Sequence, residues 1–122
     1  MQLQLHLHEY PGAIANLQVQ LLKLDQSVEQ ISQRVKHVCD QFELQTAFDP
    51  ELKNEQQRKA KKAELIRQSG DYEQLNHVLG EETYRRDILC IQLEQLKSEF
   101  SVAKLLKRET VARVEAFADE AA

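Results

Sequence analysis

The chain has 122 residues, the length of one domain, with 42% hydrophobic and 30% charged residues and a formal net charge of −4. Three glycines, two prolines and no tryptophan leave few chain reversals, and the dominance of Gln, Glu, Lys, Leu and Ala is the composition of long helices and coiled coils. No apolar run reaches the roughly 18 residues of a membrane span and no basic stretch leads into an apolar core, so neither a membrane segment nor a secretory signal is expected. Cys39 and Cys90 lie inside helical patterns without metal-ligand spacing. They read as free thiols in a reducing cytoplasm.

The opening stretch MQLQLHLHEYPG alternates Leu3, Leu5 and Leu7 with Gln4, His6 and His8, the period of a strand. Residues 1–10 are therefore expected to form a strand or an extended arm. A lone strand leaves its own backbone unpaired, so it either pairs with a second copy of the chain or stays loose. Extended backbone would place His6 and His8 on one side. Two histidines supply too few ligands for zinc, and an ordinary polar edge is the expected reading, with no metal and no cofactor.

From Pro11 the pattern is helical. Ile14, Leu17, Leu21, Leu24, Val28, Ile31, Val35, Val38 and Phe42 follow one another at alternating steps of three and four. That is the narrow stripe of a coiled-coil seam, and the first helix is expected over 11–48. Pro11 suits a first helical position, and the Asp49-Pro50 pair ends the helix. A second helix is expected over 54–69. Asn54 with Gln57 has capping-box spacing, and Ser69-Gly70 forms the stop. Its apolar content, Ala60, Ala63, Leu65 and Ile66, predicts light packing.

The third helix is expected over 71–118, with Asp71 and Gln74 as its capping pair and Gly80 as a place where it can kink. Leu89, Leu93, Leu96, Phe100 and Ala103 make its seam. Tyr84, Ile88, Ile91, Val102 and Leu105 form a second row, read as lying beside the first and widening the apolar face. The first helix covers one row. A second copy of the chain is the expected cover for the other. The fold class is thus all-α: a long antiparallel helical hairpin, a coiled coil that assembles as a four-helix-bundle dimer. The two seams are the expected oligomerisation surface.

No nucleophile motif, phosphate-cradling glycine loop or H-E-x-x-H helix occurs, and the carboxylates sit at helical spacing from basic residues, so no enzyme is expected. One local feature rises above shape. Between residues 53 and 67, six basic residues face only Glu55 and Glu64, while the flanking segments are acidic. Arg58, Lys59, Lys61 and Lys62 form the centre of this patch, a candidate contact for phosphate or an acidic partner. No aromatic residue accompanies them, so base stacking is not expected. A weaker basic run of Lys104, Lys107, Arg108 and Arg113 is read as answering acids on the first helix.

In DPELKNEQQRKAKKAEL and LEQLKSEFSVAKLLKRE, across residues 47–108, the chain resembles small uncharacterised coiled-coil proteins of cyanobacterial and phage genomes. The likeness lies in the Asn-x-x-Gln-Arg-Lys-Ala stretch from Asn54 to Ala60 and the Phe-Ser-Val stretch from Phe100 to Val102. The resemblance implies a coiled coil and no particular activity. Prefoldin-type chaperone subunits also pair two long helices, but they need β-hairpins where this chain is Lys-, Gln- and Ala-rich, so that family is set aside. The expected function is a non-enzymatic oligomerisation scaffold or adaptor. Two alternatives stay open: an accessory nucleic-acid-binding protein using a basic hairpin tip, and a regulator of a DNA-processing enzyme.

Overall fold

A seam with steps of three and four commits most of the chain to helix. In the computed structural model, which describes residues 3–121, a short 3-10 turn at Leu7–Glu9 leads into three helices: α1 (Tyr10–Ala47), α2 (Glu55–Gln68) and α3 (Gly70–Ala121). No strand occurs among the described residues. Contacts divide the chain into two compact units, Met1–Leu22 with Asp87–Ala122, and Lys23–Arg86.

The expected N-terminal strand is corrected by the first unit; Met1 and Gln2 lie outside the described residues. With no second strand to pair with, the backbone closes locally instead. The Glu9 amide donates to the His6 carbonyl at 2.9 Å and the His6 amide donates to the Glu9 carboxylate at 2.9 Å. The alternation survives in another form: Leu3, Leu5 and Leu7 are half-buried, whereas Gln4, His6 and His8 are exposed. Period two here records which side of an irregular arm is covered, not a sheet.

Tyr10 opens α1 and is fully buried. Its ring stacks on Phe100 of α3 with centroids 5.7 Å apart, and its hydroxyl donates to a Glu99 carboxylate oxygen at 3.5 Å. Glu99 is only 2% exposed, and Gln95 donates to its other oxygen at 3.3 Å. A buried carboxylate needs such donors, because leaving it unpaired costs far more than a hydrogen bond gains. Lys104 lies over the Phe100 ring, 4.4 Å from its centre. Leu93 and Ala103 complete the buried part of this unit.

In the second unit, α1 ends in a turn built by Asp49. Its carboxylate accepts from the Glu51 amide at 2.9 Å, and its carbonyl from the Leu52 amide at 3.2 Å. Asn54 then caps α2, accepting from the Gln57 amide at 2.8 Å, while the Gln57 side chain accepts from the Lys53 amide at 2.6 Å. Ser69 serves two helices at once. Its amide closes α2 on the Ile66 carbonyl at 3.1 Å, and its hydroxyl accepts from the Tyr72 amide to start α3 at 3.1 Å. Ser69 thus takes the capping place expected of Asp71. Asp71 falls instead in the first turn of α3, where its charge suits the helix dipole. Within this unit Arg86, late in the α3 segment, reaches Asp25, early in the α1 segment, at 3.8 Å. The two segments therefore run in opposite directions, an arrangement compatible with a helical hairpin.

Two outcomes follow from these placements. Tyr10→Ala should lower the unfolding free energy by about 3 kcal/mol, the usual cost of deleting a buried aromatic ring, measured by urea denaturation. Gly80 lies inside α3 with open space where a Cβ would stand. Gly80→Ala should therefore raise stability by about 1 kcal/mol, read as a higher urea midpoint.

Candidate functional site

The candidate surfaces are the helix seams and the basic helix, and each is built from one residue spacing. On α1 of the first unit Ile14, Leu17 and Leu21 are half-buried; on α3, Leu89, Leu96 and Phe100 are half-buried and Leu93 is buried. In the second unit Leu24, Val28, Val35, Val38 and Phe42 are half-buried and Ile31 is buried. Residues between them on the heptad are mostly exposed, as the narrow stripe requires.

The stripe on α3 is longer than its apolar residues indicate. Counting back from Leu89 in steps of three and four reaches Arg86, Glu82, Leu79, Leu75 and Tyr72, and all five are half-buried. Glu82 and Arg86 hide it from an apolar-pattern reading. Tyr10 was missed for a related reason: it lies four residues before Ile14 and so continues the α1 stripe, but Pro11 read as the helix start. Proline is tolerated anywhere in a first turn, where the N–H it lacks would have no helical partner.

Glu82 is the least satisfied member of the stripe. One oxygen lies 3.6 Å from Arg85, itself largely exposed, while the other is buried without a hydrogen-bond partner. It borders an open groove of 1060 Å³ whose walls carry Arg34, His37, Val38, Asp71 and Leu75. The groove mixes both signs of charge with apolar side chains and converges on no single group, which suits packing and hydration better than a defined ligand.

The second row on α3 is corrected in position. At about 100° per residue it lies nearly opposite the seam rather than beside it. Tyr84 is 67% exposed and Ile91 65%, and Ile88 and Leu105 are exposed too, with Val102 half-buried. Val19 and Leu22 on α1 are exposed in the same way.

The basic helix is less free than its charge implies. Lys62 reaches Glu43 of α1 at 3.6 Å and Lys61 reaches Glu64 at 3.7 Å. Arg58 is half-buried, and Lys59 alone of the four is exposed. The face expected to meet phosphate is thus partly turned toward α1. The run on α3 does not answer acids on α1: Lys107, Arg108 and Arg113 are exposed and make no ion pair among the described residues.

His6 and His8 stack at 6.0 Å with nearly parallel rings. Among the described residues no group of three or more His, Cys, Asp or Glu is placed to hold a metal ion, and no helix is long and apolar enough to cross a membrane. Cys39 and Cys90 are free thiols. No family model matches the chain, and no curated protein or solved structure matches it significantly.

Replacing the orphaned carboxylate tests the seam. Glu82→Leu should stabilise the chain by about 1 kcal/mol, since it removes a buried oxygen without a partner and adds an apolar seam residue. A urea midpoint that falls would show that the carboxylate is satisfied in solution.

Proposed function

We propose that this protein is a non-enzymatic coiled-coil scaffold or adaptor of the cytoplasm, an antiparallel helical hairpin that works as a homodimer. The observation that carries the reading is the apolar surface left over once the seams are used. Tyr84, Ile88, Ile91 and Leu105 on α3, with Val19 and Leu22 on α1, stay exposed, whereas the seam residues of both helices are buried or half-buried. Large side chains repeated along a helix face mark surfaces that meet another protein. A second copy supplies a matching face, and a four-helix bundle is the arrangement that covers such rows.

The nucleic-acid reading ranks second. Exposed Lys59 favours it, but Lys61 and Lys62 are already engaged by carboxylates. Surface pairs of this kind contribute about 0–1 kcal/mol, so they dilute the patch without locking it.

Sedimentation equilibrium should return twice the chain mass; where the Tyr84 row is the contact, replacing Ile88 and Ile91 with Glu returns the single mass with helix content retained. A wild type that stays monomeric at every concentration overturns the proposal. Fluorescent DNA titrated at low salt should show no binding that depends on Arg58, Lys59, Lys61 and Lys62. Binding that is lost when all four become Gln, and that weakens with salt, would put phosphate contact first.

A further inference from the structure

From residue 104 to residue 121 every position of α3 is exposed. This is a run of helix with no cover from its own chain, yet it is not built as a polar extension. Starting at buried Ala103, the stripe Leu106, Thr110, Val114, Phe117 and Ala121 continues at steps of three and four, with Phe117 74% exposed and Val114 63%. Helix in water without packing is marginal, so a stripe of this kind gains its stability from a neighbour.

The charges identify the neighbour. Residues 104–113 carry Lys104, Lys107, Arg108 and Arg113 against Glu109, whereas residues 114–121 carry Glu115, Asp119 and Glu120 and no base. For a solitary helix this order is unfavourable: acids stand at the negative end of the dipole, and no base lies in the last turn. Beside a copy of the same segment running the other way, the order becomes favourable. The basic half of each then faces the acidic half of the other, and the dipoles oppose. A parallel copy would set base against base. The pattern is complementary to itself, as an isologous two-fold contact requires, and a partner of one charge sign would match only half of it.

We propose that residues 104–121 of α3 pair antiparallel with the same segment of a second copy, through Leu106, Val114 and Phe117. This rests on the homodimer reading and moves its contact to the end of α3: a two-fold between residues 112 and 113 lies roughly 30 Å along the helix from Ile91, at about 1.5 Å per residue, so with this contact the variant with Ile88→Glu and Ile91→Glu stays dimeric.

The test uses the full chain in sedimentation equilibrium at a series of concentrations. One variant carries Glu115→Lys, Asp119→Lys and Glu120→Lys; a second carries Lys107→Glu, Arg108→Glu and Arg113→Glu, which spares Lys104 over the Phe100 ring. Each alone should self-associate about ten-fold or more weakly than wild type, because like charges then meet. Mixing the two should restore association, since one segment is then basic but for Glu109 and the other acidic but for Lys104. Combining both sets in one chain should restore the homodimer, which shows that the substitutions leave the helix able to form. If wild type dimerises and neither variant differs from it, the contact lies elsewhere: this inference falls and the homodimer reading stands. A wild type that never dimerises overturns both.

Discussion

The apolar stripe on α1, with its steps of three and four, is the constraint on which the rest depends. A stripe of this width covers itself only against a helix with the same period, and α3 presents one from Tyr72 to Ala103. Each unit solves the problem with different chemistry. In the first, an aromatic stack and a buried carboxylate fix Tyr10 against Phe100 and Glu99. In the second, aliphatic seam residues lie beside polar positions, and an ion pair joins Asp25 to Arg86 between the segments.

Polar residues inside a seam lower stability and raise specificity. Arg86 meets Asp25 in one alignment, and a shift by a turn would leave both without that partner. Glu82 has the same cost with no visible return within the chain, since one of its oxygens has no donor. The apolar residues outside the seam are the other departure from a self-sufficient domain. Tyr84, Ile91 and Phe117 are each more than half exposed. The chain itself folds no element over them.

Much of the helical content was legible because period is a local property. The α1 stripe could be read from Ile14 to Phe42 by counting, and the breaks at Asp49-Pro50 and Ser69-Gly70 came from backbone preferences that need no partner. The seam on α3 was legible only from Leu89 onward, because Glu82 and Arg86 break the apolar pattern while keeping the spacing. The basic patch was legible as charge. That Lys62 would reach back to Glu43 was not, since the two residues lie on different helices.

Taken alone, the sequence determined that the chain beyond its N-terminal arm is helical in three pieces, where two of those pieces stop and which side of α1 is covered, because helix period, capping and proline act within a few residues. Tertiary structure alone decided the fate of the N-terminal arm, whose alternating leucines promised a strand but found none to pair with. It also decided the burial of Tyr10 against Glu99 and the position of the Tyr84 row opposite the seam. Each of these depends on what lies across from a residue rather than beside it in the chain.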